Sequence, residues 1–158
     1  MLPDELIASI LVYVPSRDLL RYLKFFNKSF GRIIDKYGKL FTIDLARSNI
    51  NDTDLCHLKG VGGSLFHTIN LSHCHRITNT GLEHLRGVHT INLYKCTKIT
   101  DAGLAHLKGV HTVNLSWCAQ ITDAGLVHLK GVHTINLSNC VEITDAGLAS
   151  IKGWVFQP

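Results

Sequence analysis

The chain has 158 residues, 46% of them apolar, and a formal net charge of +4. That is ample apolar material for a core. The charge is too small and too scattered for a nucleic-acid footprint, and the longest apolar run, Leu6–Val14, is too short to span a bilayer. Residues 1–40 come first and follow no repeat. Leu2-Pro3-Asp4-Glu5 opens a helix, with proline at a first-turn position and two acids at the positive end of the dipole. Leu6, Ile7, Ile10, Leu11 and Val14 give it an apolar stripe, and Pro15 ends it. Ser16 can cap a second helix with Leu19, Leu20 and Leu23. Asn27 or Ser29 can open a third with Phe30, Ile33, Ile34 and Tyr37, stopped by Gly38. Three short helices bury little alone, so they need each other, the rest of the chain, or a partner. Met1-Leu2-Pro3-Asp4 offers no basic n-region, so no secretory signal is expected.

From Phe41 the sequence repeats. Gly109–Lys130, GVHTVNLSWCAQITDAGLVHLK, recurs as Gly87–Lys108 and Gly131–Lys152. A looser copy spans His67–Arg86, and a degenerate one, Phe41–Lys59, lacks one residue in its middle. Fixed apolar positions at a constant period predict a solenoid. Within one copy, Ile91 and Leu93 alternate with Thr90 and Asn92, the period of a half-buried strand. Thr100 and Asp101 then stand where a helix N-cap is wanted, before Leu104 and Leu107 at helical spacing. Gly109 follows Lys108 as a left-handed stop. Each copy therefore reads as strand, turn, short helix and glycine stop, and stacked copies share one core. Val61-Gly62-Gly63-Ser64 is an insert between the first two copies. The tail Gly153–Pro158 starts a further strand, and Trp154 and Phe156 are placed to close the end of the stack.

The pattern V-x-x-I-x-L-x-x-C-x-x-I-T-D-A-G-L-x-x-L resembles the cysteine-containing leucine-rich repeat over residues 41–152. The copies here are shorter and lack that subtype's second cysteine segment after the helix. The resemblance implies an α/β solenoid of five short repeats, with a curved parallel sheet inside and helices outside. Residues 2–33 resemble an F-box: Leu2, Pro3, Glu5, Ile10, Pro15, Asp18, Leu19, Leu20, Arg21, Asn27 and Lys28 match, while Phe30 stands where tryptophan is usual. The expected organisation is thus a three-helix F-box at 1–40 capping a leucine-rich-repeat domain at 41–158. The resemblance implies docking on a Skp-type adaptor, and through it on a cullin, by Leu2, Pro3, Leu6, Ile10, Leu19 and Leu20. The repeats would then recruit a protein substrate to a ubiquitin ligase. The alternative is a plain protein-binding or scaffolding solenoid, or a viral or bacterial mimic, whose helices only cap the repeats.

Chemistry is sparse. There is no Gly-rich phosphate loop, nucleophile elbow or C-x-x-C, so no catalysis and no cofactor are expected. Cys74, Cys96, Cys118 and Cys140 share one repeat position and read as buried free thiols bonding to turn carbonyls; Cys56 stands apart. Free thiols point to a reducing compartment, the cytoplasm, with the nucleus left open. His67, His89, His111 and His133 form one column and His57, His84, His106 and His128 another. No carboxylate or thiolate converges on either, so both read as repeat surface and no metal is assigned. Uniform rows of threonine and asparagine on the sheet are expected to hydrogen-bond along the stack. The copies differ after the strand, and there Tyr94, Lys95 and Trp117 gather two aromatics and a cation on one edge of the concave sheet. They are the expected partner-binding residues, because aromatics anchor binding hot spots.

Overall fold

In a computed structural model the described residues are 42–56, 67–151 and the backbone of Val155–Phe156. The N-terminal helices, the insert at 61–64 and the side chains of Trp154 and Phe156 lie outside the described residues. Six strands form one parallel sheet in sequence order: β1 (Thr42–Asp44), β2 (Thr68–Asn70), β3 (Thr90–Asn92), β4 (Thr112–Asn114), β5 (Thr134–Asn136) and β6 (Val155–Phe156). The register is copy against copy: Ile69 pairs with Ile91, Ile91 with Val113, and Val113 with Ile135. The tail does begin a further strand, with Val155 beside Thr134 and Phe156 beside Ile135.

Copies two to four bury the same set. In the third, Ile91, Leu93, Cys96, Ile99, Leu104, Leu107 and Val110 are at most 2% exposed. Each such side chain is worth about 1.5–3 kcal/mol when buried, and none is covered without the neighbouring copies.

The helices are shorter than the leucine spacing alone demands. They are α1 (Asp52–Leu55), α2 (Asn79–Leu82), α3 (Asp101–Leu104), α4 (Asp123–Leu126) and α5 (Asp145–Ser150). Those of copies two to four pass directly into a three-residue 3-10 turn holding the second buried leucine. Gly87, Gly109 and Gly131 then take φ of 83°, 87° and 88°, the left-handed stop read from sequence.

The stack is fastened by a clamp that joins consecutive copies. Asp101 opens α3, and its carboxylate accepts from the Thr122 N–H at 2.8 Å and the Thr122 hydroxyl at 2.6 Å in the next copy. Asp52 clamps Thr78 and Asp123 clamps Thr144 in the same way. The two hydrogen bonds from Thr144 hold the Asp123 carboxyl below the usual carboxylate range. The clamp also explains the glycine inside each of α2 to α5. A Cβ on Gly125 would run into the Asp101 carboxylate, and Gly81, Gly103 and Gly147 face Asp52, Asn79 and Asp123 in the same relation. T-D-A-G is therefore one device spread over two copies.

Copy two is the exception that shows how the device works. Asn79 stands for the aspartate; its amide donates to the Thr100 hydroxyl at 2.8 Å while its carbonyl oxygen accepts from Thr100 N–H at 3.0 Å. The threonine oxygen now accepts from a side chain, and Thr100 makes no side-chain cap to its own helix, as Thr122 does through Ala124 N–H.

The four repeat cysteines are free and buried, as expected, and the fifth, Cys56, is half-buried and free. Cys74, Cys96, Cys118 and Cys140 donate to the carbonyls of Leu45, Leu71, Leu93 and Leu115 in the preceding copy at 3.1–3.2 Å. Those carbonyls also accept the turn N–H of their own copy, for example Cys96 N–H to Leu93 O at 2.9 Å. In the first copy Ser48 occupies the cysteine position, its hydroxyl on the Leu45 carbonyl.

Candidate binding edge

The candidate site lies where each strand ends and the chain turns. The asparagine closing each strand does not bond along the stack, contrary to expectation. Instead the Asn92 side-chain oxygen accepts from Tyr94 N–H at 3.0 Å, and Asn70, Asn114 and Asn136 do the same for Ser72, Ser116 and Ser138. These are Asx turns, local to each copy. The next residue is then held by the backbone ladder: Lys95 N–H donates to Ser116 O at 3.0 Å, and Trp117 N–H to Ser138 O at 2.9 Å.

That residue is left-handed in every copy, bracketed by both bonds in copies one to four and by the Asx turn in copy five. Arg47, His73, Lys95, Trp117 and Asn139 have φ of 56° to 63°. Asparagine tolerates this region; arginine, histidine, lysine and tryptophan are uncommon there, and the conformation costs roughly 1–2 kcal/mol per residue.

The three residues expected from sequence meet on this edge. The Lys95 ammonium lies 5.3 Å from the Tyr94 ring and 5.1 Å from the Trp117 ring. The Tyr94 ring meets His73 edge-on at 5.0 Å. Trp117 is 48% exposed, an unusual state for so large a ring. The His73 imidazole is pushed below its ordinary value, first by desolvation and then by Lys95, Arg47 and His75. Arg47 and His73 join the row but did not emerge from sequence as site residues; aligning the first copy's Leu45-Ala46-Arg47 on Leu93-Tyr94-Lys95 was the available signal. The expected adaptor contacts, Leu2, Pro3, Leu6, Ile10, Leu19 and Leu20, lie outside the described residues.

The first histidine column is real, but its rings meet in three ways: His67 and His89 edge-on, His89 and His111 stacked, His111 and His133 tilted by 31°. Ring centroids are 4.1 Å apart for His67–His89, 4.5 Å for His89–His111 and 4.6 Å for His111–His133. The Nδ1 atoms of His89 and His111 turn to their neighbouring threonine hydroxyls. Rings in face or edge contact with each other do not aim their lone pairs at one point, and no group of three or more side chains that could hold a metal occurs among the described residues. The buried thiols are equally quiet. Burial pushes the Cys118 pKa up to about 12 and also raises Cys74, Cys96 and Cys140; a thiol held protonated is a poor nucleophile and a poor ligand.

This architecture defines a class. A family model described as leucine-rich repeat matches the chain at residues 64–85, 110–130 and 132–152; the copies there are leucine-rich repeats. A search of the curated proteins gave no significant match. Among solved structures the chain is similar to one in the crystal structure of the Rad7 and Elc1 complex in yeast, with a TM-score of 0.55 and 17% identity. The likeness covers 68% of this chain and 32% of that one, so it spans about a third of that chain and bears on the fold alone. No helix among the described residues is long and apolar enough to cross a membrane.

Proposed function

We propose that the chain is a non-catalytic recruiting subunit of a Skp–cullin–F-box ubiquitin ligase, acting in the cytoplasm or nucleus. Residues 2–33 dock on the Skp-type adaptor, and the repeats hold a protein substrate along the turn edge. Leucine-rich repeats are protein-binding scaffolds, and one observation carries the substrate half of the reading: exposed Trp117 and half-buried Lys95 and Tyr94 converge outside the buried core. The adaptor half rests on the Leu-Pro-x-Glu and Asp-Leu-Leu-Arg segments standing directly before the repeats. Docking of this kind is helix-in-groove recognition by apolar anchors. The structure to which the fold is similar was itself crystallised as a two-protein complex.

The test is direct titration of a purified Skp-type adaptor. Affinity at micromolar concentration or tighter is expected, lost in Leu2→Ala/Pro3→Ala and in Leu19→Ser/Leu20→Ser, with the circular dichroism of the repeats retained. Wild-type protein without affinity in that range leaves the other reading, a protein-binding solenoid capped by its own N-terminal helices.

A further inference from the structure

The left-handed row has a chemical gradient along the stack. Taking the turn and the loop behind it, copy one contributes Arg47, copy two Arg76 and copy three Lys95 and Lys98. Copy four then presents Trp117, and copy five Asn139 with Glu142. In the first three copies the opposing carboxylate on this stretch is Asp44, which accepts from Ala46 N–H at 3.0 Å. Four cations thus stand against one engaged carboxylate, and of these the Lys95 ammonium lies 5.1 Å from the exposed Trp117 ring.

Backbone geometry does not account for these residues. The turn is fixed by the Asx bond before it and the ladder bond after it, whichever side chain it bears. Glycine or asparagine would hold the same φ with less strain. Arg47 and Trp117 are exposed and make no contribution to the buried core. An exposed side chain on a strained turn, without a packing role, makes that turn a candidate for function.

Resting on the reading that this edge is where the repeats hold a protein, we propose that its occupant is an acidic protein segment. Its carboxylates lie on Arg47, Arg76, Lys95 and Lys98, and one apolar side chain rests on the Trp117 ring. Successive copies present these groups about 4.8 Å apart, so the segment runs across the strands, along the stack. Cations at an exposed edge steer an anionic partner and fix its register; the indole supplies the desolvated anchor.

The experiment measures fluorescence anisotropy of a labelled deca-glutamate peptide containing one central leucine, on the full chain, at low and at physiological salt. Binding that weakens with salt is expected. Arg47→Gln/Lys95→Gln should weaken it about tenfold, the loss of two close charges from an exposed edge. The charge-matched control Lys108→Gln/Lys130→Gln removes exposed lysines at the other end of the strands and should leave it nearly unchanged. Equal losses in both variants, no binding by wild type, or tighter binding of a deca-thymidine oligonucleotide overturns the proposal. A separate arm keeps the broader reading distinguishable: Tyr94→Ser/Trp117→Ala should lose co-purifying proteins while the melting temperature and adaptor binding persist. If that variant loses its partners but the acidic peptide never bound, only the partner chemistry is wrong; if it keeps them all, the edge itself is wrong.

Discussion

Alanine in place of Gly125 is the sharpest probe of how copies are joined. In an open helix interior, glycine to alanine gains about 0.5–1 kcal/mol. Gly125 sits in α4, yet its added Cβ would meet the Asp101 carboxylate of the preceding copy and, at 3.0 Å, a methyl of Leu104. The leucine can yield; the carboxylate is tied to Thr122 by two bonds. Overpacking of this kind costs about 1–3 kcal/mol, and displacing the carboxylate forfeits charged hydrogen bonds of about 1.5 kcal/mol each at a half-exposed site. Gly125→Ala should therefore destabilise by about 2–4 kcal/mol. Asp101→Ala alone should cost about 2–3 kcal/mol through the lost clamp and its interaction with the α3 dipole. In the double variant the Cβ enters space the carboxylate has left, so the two changes should fall short of additivity by at least about 1.5 kcal/mol. Urea unfolding followed by far-UV circular dichroism measures all four corners of the cycle. A stabilising Gly125→Ala, or strict additivity, would refute the clamp as the reason for the glycine.

The other predictions follow from the same geometry. Asn79→Asp should restore the threonine cap of α3 and raise stability by about 0.5–1 kcal/mol in the same unfolding assay; a loss of stability would contradict the role assigned to Asn79. In the folded protein without reductant, Cys56 should react first with a thiol reagent, and all five thiols should titrate after denaturation; rapid native labelling of Cys118, whose pKa is pushed up to about 12, counts against its burial. His89 is held below its ordinary value of 6.5, first by desolvation and then by His111 and His67. The unfolded chain therefore binds the proton first as pH falls, so stability is full above pH 6.5 and declines below it until the folded imidazole also titrates. His89→Asn should flatten that part of the stability curve, and an unchanged slope would place the effect elsewhere. Elemental analysis should find no stoichiometric zinc; finding it would overturn the account of the histidine column as rings in contact only with each other and with threonine hydroxyls.

Much of the fold was legible because a repeat states its rules several times over. Ile91 and Leu93 against Thr90 and Asn92 gave the strand, and Gly109 gave the stop. The shared register of the cysteines gave their role as buried donors. What was hidden lies between copies. Asp101 reads as an ordinary acid in a first helical turn, and only the stacked structure shows that its partner is Thr122. Gly125 reads as a weak helix residue, because the group that forbids a side chain there belongs to another copy. The asparagine row was legible as polar but not as local: period alone cannot tell a bond along the stack from an Asx turn. On the candidate edge, Tyr94, Lys95 and Trp117 were found by register, but arginine, histidine, lysine and tryptophan give no sequence sign of a left-handed backbone.

The division of labour within a copy has a consequence for recognition. Strand pairing, the thiol bond and the aspartate clamp all act between neighbours and all use residues that point inward or along the stack. The left-handed residue is held by its own backbone and by the next turn, so its side chain is the one most free of those duties. Changing it alters the surface and the local strain, of about 1–2 kcal/mol, but not the register of the sheet. Each added copy brings one more strand, one more clamp and one more such side chain, spaced at the strand repeat of about 4.8 Å. On the proposed reading a partner lying along this edge would be read one copy at a time, since near-identical copies such as Gly87–Lys108 and Gly109–Lys130 present Lys95 in one and Trp117 in the next.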